Sequence, residues 1–126
     1  MRHLHIWLLE DDPLNAELVC ELLSAAGHEV RHAGNAAGFR ALALETPPPD
    51  LALMDILIPD GDGAALLEEL RRGGHLDAIP VLALTAKAEP HEAARFRQAG
   101  FINVLIKPID TRSFVSAIEI AATKGD

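Results

Sequence analysis

Cysteine is nearly absent from this sequence: Cys20 stands alone, so no disulfide can close within the chain. It falls in a stretch with helical spacing, where a buried and inert thiol is expected, and a reduced, cytoplasmic compartment is the expected setting. Basic residues are also in deficit. Eleven Lys and Arg against 19 Asp and Glu give a formal net charge of -8, which argues against general affinity for nucleic acid or an anionic membrane. No apolar run is long enough to span a bilayer. The opening segment is interrupted by His5 and followed by three acids, so it reads as a first strand and not as a secretory signal. Internal repeats and low-complexity tails are missing as well. What remains is an ordinary globular balance, 49% apolar and 24% charged, in a length of 126 residues that fits one domain over 1–126.

Two kinds of segment alternate along the chain. Short apolar runs lie at Leu4–Leu9, Glu29–Ala33, Leu51–Met54, Val81–Thr85 and Phe101–Ile106. Stretches with helical spacing lie at Leu14–Ala26, Asn35–Glu45, Ala64–Arg72, Glu92–Ala99 and Thr111–Thr123. Five alternations of strand and helix predict an α/β fold with a parallel sheet covered on both faces. The runs at Leu51, Val81 and Phe101 show almost no polar alternation, as expected of strands buried on both sides. Punctuation agrees: Asp12 before Pro13 reads as a helix cap, Gly27 and Gly100 as helix ends, and Asp110 and Ser113 as caps for the last helix. Pro47-Pro48-Pro49 reads as a rigid loop, since a division there would leave two fragments too small to fold.

In an open parallel sheet the ligand site lies beyond the carboxyl ends of the strands. Glu10, Asp11 and Asp12 follow the first run, Asp55 the third, Thr85 the fourth and Lys107 the fifth. Glu10, Asp11 and Asp55 could supply the carboxylate oxygens that a hard divalent cation such as Mg²⁺ takes, with Mn²⁺ as a substitute. Such a cation, with Lys107 nearby, would relieve the repulsion among three acids. An ionised aspartate beside it can attack phosphorus, and Lys107 and the Thr85 hydroxyl could stabilise charge on the phosphoryl oxygens. Singly, each residue has a plainer reading: acids after strands cap helices, as Asp12 does, and a Lys before Pro is usually a solvated turn residue. The convergence of four strand ends is what points to chemistry. The six histidines, His3, His5, His28, His32, His75 and His91, show no metal-like spacing and are expected at surface or strand positions.

Four segments closely resemble the signature motifs of response-regulator receivers of two-component systems: Leu8–Asn15, Pro49–Gly63, Pro80–Ala86 and Lys107–Ile109. The resemblance covers essentially the whole chain, in order. It implies a flavodoxin-like (βα)5 fold, a doubly wound five-stranded parallel sheet in the order 2-1-3-4-5, with Asp55 as phospho-acceptor. It further implies Asp11 as a direct Mg²⁺ ligand, Glu10 acting through water, and the Leu57 carbonyl completing the protein's share of the shell. Thr85 and Lys107 would contact the phosphoryl group, small Ala86 would admit it, and the Lys107–Pro108 bond would be cis. Leu57 and Lys87 occupy positions that tune hydrolysis in the family. The implied partners are a sensor histidine kinase or a histidine phosphotransfer protein, and a downstream protein target.

One position departs from the family. An aromatic commonly stands three residues before the lysine; here it is Val104, and the chain has no tyrosine, so no aromatic rotamer can report switching. Two rivals follow. A phosphorylation-independent docking module would fit Val104, and a Mg²⁺-dependent phosphatase of the haloacid dehalogenase type would need a second aspartate where Leu57 stands. The sequence ends soon after the fifth helix, so output by binding a protein or by passing the phosphoryl group onward is expected; a piece of a larger regulator or hybrid kinase fits equally.

Overall fold

The computed structural model describes residues 3–45, 47–87 and 89–124. Its strands are β1 (His5–Leu9), β2 (Glu29–Ala33), β3 (Leu51–Asp55), β4 (Leu57–Ile58), β5 (Gly61–Asp62), β6 (Val81–Thr85) and β7 (Asn103–Ile106). Its helices are α1 (Pro13–Ala25), α2 (Ala36–Glu45), α3 (Gly63–Arg72), α4 (Pro90–Ala99) and α5 (Phe114–Lys124). Five strands form one sheet in the order β2-β1-β3-β6-β7, and every pairing in it is parallel. Counted among sheet strands alone this is 2-1-3-4-5, the flavodoxin-like arrangement. The chain-order reversal between β1 and β3 opens the crevice where ligands bind in such sheets.

Alternation with a period of two divides the strand side chains between two apolar layers. Trp7, Leu9, Ala52, Met54, Val81 and Ala83 pack with α2, α3 and α4 through Phe39, Leu67 and Phe96. Ile6, Leu8, Leu51, Leu53, Leu82 and Leu84 pack with α1 and α5 through Val19, Leu23, Phe114 and Ile118. Both faces of β3 and β6 are therefore apolar and buried, and this is why their runs lack polar alternation. Each fully buried leucine there contributes roughly 2–3 kcal/mol by its removal from water.

Local signals set several boundaries. The Asp12 carboxylate accepts from Leu14 N at 3.1 Å, and Pro13 occupies the first turn, so α1 begins where the sequence predicts. Gly100, at φ 114°, ends α4 in the left-handed region that glycine favours. Four expectations require correction. The fifth run is not buried on both sides. β7 starts at Asn103 and lies at the sheet edge, where only β6 pairs with it, so Asn103 and Ile106 are exposed while Phe101 is buried ahead of the strand. The last helix begins at Phe114, not Thr111: the Asp110 carboxylate accepts from Arg112 N at 3.0 Å and holds 111–113 as a turn. Cys20 is half-buried, although burial does raise its thiol pKa. His28 is neither exposed nor in a strand. It is buried between α1 and β2, accepting from Leu4 N at 3.1 Å through Nδ1 and paired through Nε2 with Glu119 at 2.8 Å.

Candidate functional site

Three strand ends meet at one cluster. Asp55 closes β3, Glu10 follows β1 and Lys107 follows β7. Neighbouring parallel strands in register force this convergence: Leu9 pairs with Met54, Asp55 with Leu84, and Thr85 with Ile106. Lys107 Nζ lies 2.8 Å from Glu10 Oε1 and 2.9 Å from Asp55 Oδ2, so one ammonium bridges two buried carboxylates. Asp11 is exposed at the mouth, and ligand oxygens of Glu10, Asp11 and Asp55 all lie within 4.8 Å of one another. The Lys107–Pro108 peptide is cis, as the resemblance implies.

Burial dominates the electrostatics. Withdrawal from water pushes the Asp55 carboxyl up to about 7, and the neighbouring Glu10 adds to this while Lys107 opposes it. For Glu10, burial acts upward too, but Lys107, the shared hydrogen bond with Asp55, Asp12 N–H and Asn15 together hold it below the usual carboxylate range. Lys107 stays above the ordinary lysine value despite burial, because both carboxylates favour its charge. In the absence of a further cation, Asp55 is thus the member of the acid pair that keeps the proton near neutrality. The donor set consists of hard carboxylate oxygens with a single internal positive charge against three acids. That chemistry fits a small divalent cation, and Glu10, Asp11 and Asp55 are the side chains that would hold it.

Thr85 is buried at the end of β6, but its hydroxyl is engaged locally. It donates to the Lys87 carbonyl at 2.9 Å and accepts from Lys87 N at 3.3 Å. Ala86 and Lys87 follow it on the surface. Leu57 lies two residues past Asp55 in the antiparallel β4–β5 pair, with its side chain exposed. Val104 is half-buried and packs against the layer containing Phe96 and Phe101.

Several supporting residues escaped sequence reasoning. Asn15 Nδ2 donates to Glu10 Oε1 at 2.8 Å, fixing the acid that Lys107 also grips. Gly63 sits so close to β3 that an added Cβ would fall 2.2 Å from the Asp55 carbonyl oxygen. Asp60 caps α2, accepting from Ala36 N at 2.7 Å and Ala37 N at 3.2 Å. Asp62 caps α3 and pairs with Arg95 of α4 at 3.2 Å. Asn15 could have been suspected from its place one turn past the acids. The role of Gly63 had no sequence signal beyond its identity, because only the close approach of α3 to β3 demands it.

The model of the response regulator receiver domain family matches residues 6–119. The polar-differentiation response regulator DivK of Brucella anthropi is 36% identical over 115 residues, covering 90% of this chain and 92% of DivK. The transcriptional regulator RpaA of Synechocystis is 31% identical over 96% of this chain, which spans 50% of RpaA. Among solved structures, the signal receiver domain of a histidine kinase from Syntrophus aciditrophicus superposes with a TM-score of 0.83 at 28% identity, covering 95% of this chain and 90% of that one. The chemotaxis regulator CheY4 of Vibrio cholerae shares the fold, with a TM-score of 0.88 at 20% identity and coverage of 95% and 99%.

Proposed function

This chain belongs to the response regulator receiver family, and from that premise we propose that Asp55 accepts a phosphoryl group from a phosphohistidine and so switches the protein. The observation that carries the reading is the Lys107 ammonium held between two buried carboxylates at the carboxyl ends of β1 and β3. An ionised Asp55 oxygen attacks phosphorus, a P–O bond forms, and the P–N bond breaks with its electron pair going to the donor imidazole. Lys107, already within hydrogen-bonding distance of the acceptor oxygen, is placed to follow the charge onto the phosphoryl oxygens. Thr85 would give up its bond to the Lys87 carbonyl and donate to a phosphoryl oxygen instead, which moves the loop after β6. A Mg²⁺ or Mn²⁺ ion held by Glu10, Asp11, Asp55 and the Leu57 carbonyl would supply charge neutralisation. Water later cleaves the acyl phosphate, and the exposed Leu57 and Lys87 stand at the two positions that would tune this step.

On this reading the protein is a signalling switch whose own residues catalyse its phosphorylation and dephosphorylation. Its donors are a sensor histidine kinase or a histidine phosphotransfer protein, its output is a protein target, and its setting is the cytoplasm. No helix among the described residues is long and apolar enough to cross a membrane. Val104, in place of an aromatic, favours a second reading in which the α4–β7–α5 face docks a partner without phosphorylation. A phosphatase of the haloacid dehalogenase type is disfavoured by Leu57, which offers no second carboxylate. Intact mass spectrometry after incubation with acetyl phosphate and Mg²⁺ separates these readings. The unaltered protein gains one phosphoryl group and Asp55→Asn gains none; equal labelling of both would remove Asp55 as the acceptor.

A further inference from the structure

The opposite end of the sheet holds a second cluster that the phosphoryl chemistry does not use. Parallel pairing places Glu29, the first residue of β2, directly beside His5, the first residue of β1. His3, two residues earlier, stands on the same side, its ring edge-on to that of His5 with centroids 5.1 Å apart. His5 Nδ1 lies 3.1 Å from Glu29 Oε2, and His3 Nε2 lies 3.8 Å from Glu29 Oε1. All three groups are exposed, and each offers one ligand atom within 4.8 Å of the others.

We propose that His3, His5 and Glu29 form a binding site for a late first-row divalent cation of the Zn²⁺ type. Three features carry this beyond a surface ion pair. The donor set is two imidazole nitrogens and one carboxylate, which suits such cations, whereas Mg²⁺ takes oxygen ligands. The spacing is compatible: tetrahedral Zn²⁺ with bonds of about 2.0–2.1 Å needs donors about 3.3 Å apart, close to the 3.1 Å between His5 Nδ1 and Glu29 Oε2, and one ligand atom from each of the three residues lies within 4.8 Å of the others. The His3 ring is also oriented for the task. Its Nδ1 donates to the Gly27 carbonyl, which directs Nε2 toward Glu29 as the nitrogen that would ligate the ion. Metal-ligating histidines are commonly held in this way by a backbone carbonyl. Beside the cluster, His5 and Glu29 line a cavity of about 280 Å³ with Trp7, Arg31 and Pro48, through which solvent and ions reach these two side chains. A bound ion would tie the edge strand β2 to β1 at the end of the sheet remote from Asp55.

Calorimetric titration of the full chain with ZnCl₂, in Mg²⁺-containing buffer that occupies the acid cluster, tests the site. The expected result is one Zn²⁺ per chain, with NMR ring resonances of His3 and His5 shifting and those of His75 and His91 unmoved. His5→Ala and Glu29→Gln should each weaken binding at least 10-fold, while Asp55→Asn should bind Zn²⁺ as the unaltered protein does. The substituted side chains are 60% and 65% exposed, so these variants will fold, and circular dichroism verifies it. No saturable binding, binding that survives both substitutions, or binding lost in Asp55→Asn would each overturn the assignment.

Discussion

The two ends of the sheet carry similar ingredients in opposite surroundings. At the carboxyl end, Glu10 and Asp55 are buried with Lys107 between them; at the amino end, His3, His5 and Glu29 face solvent. Water solvates the charges of the exposed cluster, so its groups can exchange partners at little cost. The buried carboxylates lack that option and need an internal cation, a retained proton or a bound metal. The raised Asp55 pKa and the dependence of both acids on Lys107 are therefore consequences of burial, and the same acids on the surface would not share them. Packing shows the same contrast. Gly63 touches the Asp55 backbone, whereas a Cβ on Gly27, beside the amino-end cluster, would meet nothing within 4 Å.

Substituting these two glycines gives the largest expected effect. Gly63→Ala drives its Cβ into the Asp55 carbonyl and should cost about 3 kcal/mol while displacing the acceptor, with loss of labelling by acetyl phosphate. Gly27→Ala meets only the strain of its left-handed φ of 91° and should cost about 1 kcal/mol without affecting labelling. Urea denaturation of both variants checks the ranking, and a reversed order would break the contrast between a crowded and an open end. Next in size is Lys107→Met, which leaves Glu10 and Asp55 buried with no cation. Discounted for the partial exposure of Lys107, the expected loss is about 2 kcal/mol in metal-free buffer, largely recovered by saturating Mg²⁺. A loss that Mg²⁺ fails to recover would mean that Lys107 acts through packing and not through charge.

Much of this end was legible in the sequence because its chemistry sits at strand termini, and apolar runs locate those termini well. Glu10, Asp55 and Lys107 each follow such a run directly, so the sheet had to bring them together once the strand order was known. Thr85 was legible as a position but not as a state, since nothing in the residue pattern tells that its hydroxyl is turned to Lys87. β7 misled because Phe101–Ile106 is as apolar as a central strand; its edge position depends on sheet order and not on its own composition. His3 and His5 went unread for a related reason. Their spacing becomes a cluster only when β2 supplies Glu29 from 24 residues further on.

The smallest expected effect is the most diagnostic of burial. Asp55 is raised from an ordinary 3.8 to about 7, so between those values the folded protein holds a proton that the unfolded chain releases. More protons bound in the native state means that this contribution to stability is full below about pH 4 and is lost as pH rises to about 7. Glu10, shifted the other way, contributes stability that is lost only as pH falls below the ordinary glutamate range, so it does not cancel the trend. Because the Lys107 ammonium that faces Asp55 is itself partly exposed and screens the pair, the loss should be about 1 kcal/mol, well below what the full displacement to about 7 implies. Mg²⁺ requires the ionised carboxylate and must have the opposite dependence: its stabilisation should grow as pH rises from about 5.5 to about 8. Thermal melts across that range, with and without Mg²⁺, measure both slopes, and subtraction of the Asp55→Asn curves isolates the contribution of Asp55. If the unaltered protein and Asp55→Asn give parallel curves, Asp55 ionises in the folded protein as it would in water, and the distinction between the two ends of the sheet would fail at its central residue.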